Sequence, residues 1–222
     1  MSSNPKHDLF AEFASVARAL GHPHRLELLE QLAQGERSVE ALADRAGLTV
    51  ANASQHLQQL RRAGLVAGRR DGKYVFYRLS DDEILALLAI LQRVAERNSA
   101  EVDQILRRYF MARDSLEPVS RDELRQRAHD GTVTILDVRP GDEYALGHLA
   151  GAINVPLTEL ESRLGELDPG QEVVAYCRGP YCVLSFEAVA ALRDRGYKAR
   201  RLEDGFPEWK AAGLAVQTGG AD

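Results

Sequence analysis

The chain has 222 residues, 45% of them hydrophobic and 27% charged, with a net charge of −5 and two cysteines. That length holds two domains as readily as one large one, the composition is that of a globular chain, and two thiols make no disulfide framework, which points to a reducing cytoplasm. The start, "MSSNPKHDLF", lacks the basic and apolar regions of a secretory signal, and the longest apolar run, Ile84–Leu91, has eight residues, far short of a membrane span.

The first half has helical spacing. "LFAEFASVARAL" sets Leu9, Phe10, Phe13, Val16, Ala17 and Leu20 on one stripe. "HPHRLELLEQLAQG" carries Pro23 near a helix start and Gly35 at its end. "SVEALADRAG" opens on Ser38 as N-cap and stops at Gly47; "TVANASQHLQQLRRAG" repeats this with Thr49 and Gly64. The period then changes. "LVAGRRDGKYVFYRL" alternates on both sides of Asp71-Gly72, which favours a type I′ hairpin turn. A long helical stretch is expected from Asp81 to about Phe110.

A break follows at "MARDSLEPVS" (Met111–Ser120). Beyond it, "VTILDVR", "AINVP", "EVVAYC" and "KARRLE" have the character of short strands, and "SRDELRQRAH", "LTELESRLGEL", "VLSFEAVAALRDRG" and "PEWKAAG" of helices. Such alternation argues a parallel sheet with helices on both faces. Charge divides at the same place: residues 1–113 carry +2 and residues 114–222 carry −7. Two domains, 1–113 and 114–222, are expected.

Two short helices joined at Gly47-Leu48 make a helix-turn-helix pattern, whose second helix enters the major groove of DNA. At 100° per residue, Ala53, Leu57 and Leu60 face a core, and Gln55, Gln58 and Arg62, flanked by Ser54 and Gln59, face outward. Gln pairs bidentately with adenine and Arg with guanine. Residues 61–78 hold six basic side chains against Asp71, and Arg69, Arg70 and Lys73 at the hairpin tip would meet phosphates. The plain alternative is a solvated charged face. His56, at the margin of the buried stripe, suits packing or a phosphate contact better than a metal.

Both cysteines lie in "VVAYCRGPYCVLS", where an apolar strand ends on Cys177 and a helix starts just after Cys182. A strand-loop-helix turns its amides inward and aims a helix N-terminus at the same spot. That arrangement would hold Cys177 as a thiolate of lowered pKa, able to carry a transferred sulfur as a persulfide. Arg178, Gly179, Pro180, Tyr181, Cys182 and Val183 make the cradle, with Arg178 adding positive charge and Pro180 removing one amide. Cys182 either attacks a modified Cys177, giving a disulfide or sulfur-bridged ring, or packs at the helix start. Asp137, Arg139, His148, Phe206, Trp209 and Tyr176 suit structural roles.

The segment from Leu20 to Leu79, with "SQHLQQLRRAGLV" and "RRDGKYVFYRL", resembles the winged helix-turn-helix repressors of the ArsR family over about residues 8–110. The resemblance implies a homodimer, built from the first and last helices, on a palindromic operator. Metal-sensing members carry thiolates near the start of the helix before the recognition helix; here "GERSVEAL" has none, so no metal site is expected. "LDVRPGDEYALGHLAGAINVP" and "LEDGFPEWKAAGLAV", with the cysteine loop, resemble the rhodanese fold over about residues 117–218. This implies an α/β domain with a central parallel sheet and sulfane-sulfur chemistry on Cys177. Related phosphatase-like loops end in Arg six positions after the Cys, where this chain has Val183, so phosphate chemistry is disfavoured. Common sulfurtransferase loops place Gly three positions after the Cys, and here Gly179 comes one earlier.

The fold expected is therefore an all-α winged helix-turn-helix with a β-hairpin wing, followed by an α/β rhodanese-like domain. The function expected is a transcriptional repressor that binds double-stranded operator DNA as a homodimer and senses reactive sulfur or redox state through Cys177, with Cys182 as its partner. A sulfane-sulfur donor is the expected small partner, with no membrane and no cofactor. The alternatives are a thiosulfate or persulfide sulfurtransferase carrying a DNA-binding domain, and an arsenite or other thiophilic sensor.

Overall fold

Side-chain caps set the helix starts of the first half. Asn4, His22, Ser38 and Thr49 each accept a backbone amide at the mouth of α1 (Pro5–Leu20), α2 (Pro23–Ala33), α3 (Val39–Arg45) and α4 (Val50–Arg62). Gly47 and Gly64, at φ 61° and 75°, end α3 and α4 in the left-handed conformation open to glycine. Ala53, Leu57 and Leu60 of α4 are fully buried with Leu28 and Leu29 of α2 and Leu42 of α3, as the 3.6-residue period demands. The computed structural model describes residues 4–111 and 118–219.

The wing pairs β2 (Val66–Asp71) with β3 (Tyr74–Leu79) antiparallel, Asp71 opposite Tyr74. The turn is thus Gly72-Lys73, one residue later than expected. Gly72 has φ 58°, and among the described residues no non-glycine residue has positive φ. A type I′ turn needs positive φ at both central residues, so that expectation fails. A third strand, β1 (Arg37–Ser38), pairs with β3; Ser38 is both strand residue and N-cap. The long helix expected after the wing is interrupted once: α5 (Glu83–Asn98) is followed by α6 (Ala100–Ile105), which continues as a π-helical turn over Leu106–Met111. Ser99 leaves helical geometry at φ −112°, ψ 116° and accepts the Val102 amide, starting a new helix.

The chain divides into two compact units, Met1–Ile84 and Leu85–Asp222. The expected boundary at 113/114, within the break read at "MARDSLEPVS", lies outside the described residues. In the second unit β4 (Val133–Asp137), β6 (Ile153–Asn154), β7 (Glu172–Tyr176) and β8 (Ala199–Arg201) form a parallel sheet in the order β6-β4-β7-β8. Successive side chains of β7 serve opposite faces. Val173 and Ala175 join one core with Ala188, Val189 and Leu192 of α9 (Val183–Asp194). Val174 and Tyr176 join the other. That second core holds Leu124 of α7 (Arg121–His129), Tyr144 of α8 (Gly141–Leu146) and Phe206 and Trp209 of α10 (Phe206–Ala211). A two-stranded antiparallel sheet, β5 (His148–Leu149) with β9 (Val216–Gln217), was not foreseen.

The helix expected over "LTELESRLGEL" is two short 3₁₀ turns, Leu157–Glu159 and Leu164–Glu166. Leu160 and Leu167 still reach the core, and Arg163 pairs with Glu159 and Glu166. Spacings of three and four satisfy either helix type over so short a segment, and packing rather than propensity decides.

Candidate functional site

Recognition in a helix-turn-helix requires polar side chains that protrude from the second helix. Gln55, Gln58 and Arg62 are exposed on α4, Ser54 is half-buried, and Gln58 Nε2 lies 3.5 Å from Ser54 Oγ. Arg61 is exposed beside them; its place in the basic run was the signal that could have found it. Gln59 has a different occupation. Its Oε1 accepts from Arg25 Nη1 at 2.5 Å, and the buried Arg25 also donates to the carbonyls of Ala19 and Arg18 at 2.5 and 2.9 Å. Gln59 therefore ties α4 to α2 rather than standing ready for a base edge.

At the wing, Arg70 donates to the Gly72 carbonyl at 3.1 Å, and Lys73 lies 5.1 Å from the Tyr74 ring centre; both are exposed. Arg69 is held by Glu36 at 2.6 Å and Asp71 at 3.1 Å, over the Phe76 ring at 4.7 Å. Glu36, brought in across the β1–β3 pairing, offsets part of the wing's positive charge. His56 packs against His22, ring centres 4.5 Å apart and planes tilted by 44°, and burial together with His22 lowers its pKa.

The cysteine loop runs from the end of β7 at Tyr176 to the start of α9 at Val183. Cys177 and Cys182 are free thiols, 1% and 8% exposed. Cys177 Sγ lies 3.4 Å from the Cys182 carbonyl, 3.4 Å from Ser185 Oγ and 3.8 Å from the Gly179 carbonyl. The two carbonyls accept a thiol proton, whereas the Ser185 hydroxyl and the Gly179 amide favour the thiolate. Burial, then a hydrogen bond with Cys182, pushes the Cys177 thiol well above its usual range. Cys182 sits at the N-cap of α9. A hydrogen bond from Cys177 first, then the amides of Arg178 and Leu184 and the Arg178 charge, bring its pKa down to about 7 against the cost of burial. The loop expected to hold Cys177 as a thiolate of lowered pKa thus does not offset the burial of that sulfur, whose nearest oxygens include the carbonyls of Gly179 and Cys182.

Contacts distant in sequence shape the loop. Arg178 forms a bidentate pair with Glu143, which is fully buried, at 2.8 to 3.1 Å. Pro180 offers no amide, and Val183 is the first residue of α9. The Tyr181 hydroxyl donates to Glu96 of α5; burial and that carboxylate raise its ionisation, so it remains a donor. The Phe206 amide donates to the Cys177 carbonyl at 3.0 Å. A Cβ on Gly205 would lie 2.3 Å from the Gly179 nitrogen, so only glycine lets this segment press against the loop.

The flanking motif residues are structural. Asp137 and Arg139 are fully buried, with Arg139 Nη2 2.6 Å from Asp137 Oδ2 and 2.7 Å from the Gly147 carbonyl. The Tyr176 hydroxyl donates to Asp137 at 2.5 Å and accepts the Leu149 amide. His148 stacks on Tyr144 at 3.6 Å, and its Nδ1 is 2.9 Å from the Tyr144 carbonyl. Among the described residues no group of three or more His, Cys, Asp or Glu could hold a metal ion, and no helix is long and apolar enough to cross a membrane.

A helix-turn-helix reader with a β wing and a parallel-sheet domain carrying a cysteine loop define the class: a DNA-binding regulator fused to a rhodanese-like module. A helix-turn-helix domain model matches residues 20–69, and a rhodanese-like domain model matches residues 120–212. The HTH-type transcriptional regulator Rv0324 of Mycobacterium tuberculosis is 43% identical over 98% of this chain and 95% of its own length. The chain belongs to this family of ArsR-type transcriptional regulators with a rhodanese-like domain. Solved structures similar to parts of it include the homodimeric winged helix-turn-helix DNA-binding domain of Mb0332 from Mycobacterium bovis. That domain is 39% identical, covering 46% of this chain and 94% of that one, with a TM-score of 0.41. A rhodanese-related protein from Thermoplasma volcanium is 25% identical, covering 46% of this chain and 98% of that one, with a TM-score of 0.42.

Proposed function

We propose that this regulator acts as a homodimeric repressor whose rhodanese-like unit senses reactive sulfur through Cys177 and Cys182. The observation that carries the reading is the pair itself: two free cysteines in one strand-loop-helix, with Cys177 Sγ 3.4 Å from the Cys182 carbonyl and Cys182 at the N-cap of α9. A reducing cytoplasm keeps such a pair open to a sulfane-sulfur donor. The homodimer is supported by apolar faces that one copy leaves uncovered: Leu9, Phe10 and Phe13 on α1, and Ile90, Leu91 and Val94 on α5. Ser54, Gln55, Gln58, Arg62, Arg70 and Lys73 would contact the operator, half-sites matching the two-fold axis. Tyr181, between the cysteines, touches Glu96 of α5, so a change in the loop is felt by a helix with an apolar face.

The test uses a duplex selected from a random library with reduced protein. Sodium tetrasulfide lowers the affinity of wild type for it about ten-fold or more, and leaves the Cys177→Ser/Cys182→Ser double variant unchanged. Equal release from both defeats the reading. Sustained thiosulfate turnover, with DNA binding blind to sulfur, favours the sulfurtransferase instead; the amide-lined loop is the feature that keeps this second reading in play.

A further inference from the structure

We infer that Tyr181 carries the signal out of the cysteine loop: sulfur added to Cys177 displaces Pro180 and Tyr181, the Tyr181 hydroxyl leaves Glu96, and α5 is released. This rests on the sulfur-sensing reading above and assigns the route by which a loaded loop reaches the helix of the homodimer.

The loop as folded has no room for a second sulfur. Cys177 is 1% exposed, and its Sγ has the Cys182 carbonyl and Ser185 Oγ at 3.4 Å and the Gly179 carbonyl at 3.8 Å. Those distances are already van der Waals contacts. A persulfide sets its outer sulfur about 2 Å beyond Sγ, so part of this shell must move.

Most of the loop is anchored. The Phe206 amide holds the Cys177 carbonyl at 3.0 Å. Arg178 is clamped by the buried Glu143. Gly205 lies so close to the Gly179 nitrogen that a Cβ would stand 2.3 Å from it. Cys182 is the N-cap residue of α9, and its amide donates to the Gly179 carbonyl at 3.1 Å. Between these anchors stand Pro180 and Tyr181, both half-buried. Beside them lies a cavity of about 550 Å³, whose walls include α5, Asp204 and Glu208. Tyr181 also borders a cavity of about 330 Å³ between α5 and α6, lined by Ala95, Val102, Ile105 and Leu106. The segment thus has space outward, whereas inward it meets the packed sulfur.

The Tyr181 hydroxyl ties this segment to Glu96, itself half-buried. A carboxylate stripped of a donor beside an apolar wall is unfavourable, so α5 shifts to bring Glu96 to water. That helix begins three residues after the wing strand β3. It carries Ile90, Leu91 and Val94, the exposed apolar face assigned above to the partner copy. A shift of α5 alters that pairing, and with it the spacing of two readers on a two-fold operator.

The loading step is a sulfur transfer. Cys177 attacks the outer sulfur of a persulfide or hydropolysulfide, R–S–SH. The donor's S–S bond breaks, and R–S⁻ leaves with the bonding pair and takes up the thiol proton. Cys177–S–SH and R–SH are the products, with no net oxidation.

The test compares full-length wild type with Glu96→Ala, which breaks the tie from outside the loop. Affinity for the duplex selected with reduced wild type is measured by fluorescence anisotropy before and after sodium tetrasulfide, and intact mass follows sulfur uptake. Glu96→Ala is expected to take up sulfur as wild type does. It is expected to bind about ten-fold more weakly before treatment and to change less than about two-fold after it. Glu96→Gln keeps an acceptor for Tyr181 and is expected to keep the wild-type response. Tyr181→Phe removes the donor and is expected to bind as Glu96→Ala does. Hydrogen exchange of the α5 amides in wild type, which needs no substitution, is expected to rise about two-fold or more on loading. If Glu96→Ala binds tightly and is released by tetrasulfide like wild type, the route is overturned and the sensing reading stands. Unchanged α5 exchange in a wild type that does let go of DNA has the same meaning. A wild type that gains sulfur and keeps its operator overturns the sensing reading and the route with it.

Discussion

Helix α4 and the loop from Cys177 to Cys182 both present reactive or polar groups near a helix, and they were legible to different degrees. In α4, outward and inward are set by a period: Ala53, Leu57 and Leu60 are buried, and Gln55, Gln58 and Arg62 are exposed, as the spacing requires. In the loop, two identical side chains five positions apart meet surroundings that shift their pKa values in opposite directions, and nothing in their spacing says which. Orientation on a helix is a local property. The ionisation of a buried thiol depends on oxygens and charges gathered from elsewhere in the chain, and here on how far each sulfur lies below the surface.

The sharpest way to break this contrast is to disturb the scaffold under the loop. Asp137→Asn removes the charge partner of Arg139, which is fully buried. A loss of about 3–5 kcal/mol is expected in urea unfolding of the second unit, because an uncompensated buried charge remains. A loss under about 1 kcal/mol would show that the pair is not what holds these elements.

Next in size is Gly205→Ala. The new Cβ would lie 2.3 Å from the Gly179 nitrogen, while backbone φ of −113° suits any residue, so the cost is purely steric. About 1–3 kcal/mol is expected in the same unfolding measurement. Gly179→Ala is the control: its Cβ would meet nothing closer than Glu208 Oε1 at 3.8 Å, an ordinary contact, so the loop should tolerate it. Equal costs would mean that the press of this segment against the loop is not what shapes it.

The smallest effects sharpen the reading of α4. Gln55→Ala is expected to relax base preference by about 1–3 kcal/mol with no change in thermal melting. Gln59→Ala is expected to do the reverse: it removes the acceptor of Arg25 and lowers stability by about 1.5–3 kcal/mol at most, leaving base preference unchanged. Binding of a randomised operator pool together with melting curves reads both. A change of base preference in Gln59→Ala would return that residue to the DNA face.

Several features followed directly from local chemistry. Ser38 and Thr49 cap their helices because a short side-chain oxygen reaches an unpaired amide within one turn. The strands of the second unit were legible as apolar runs, since both faces of a parallel sheet are covered. The wing turn shifted by one residue because strand register, fixed by pairing along all of β2 and β3, overrules the preference of Asp71-Gly72. The pairing of Arg69 with Glu36 and of Arg178 with Glu143 lay out of reach because each joins residues more than thirty positions apart.

Spacing, caps and composition were enough to specify a winged reader followed by an α/β module, and to place both thiols in one loop between a strand and a helix. These are near-neighbour effects: a side chain's period, its first turn, its adjacent residues. Only the folded chain decided that Cys177 meets the carbonyls of Gly179 and Cys182, that Gln59 serves Arg25, and that Tyr181 reaches Glu96. Electrostatic energy depends on distance in space, and folding sets that distance without regard to position along the chain.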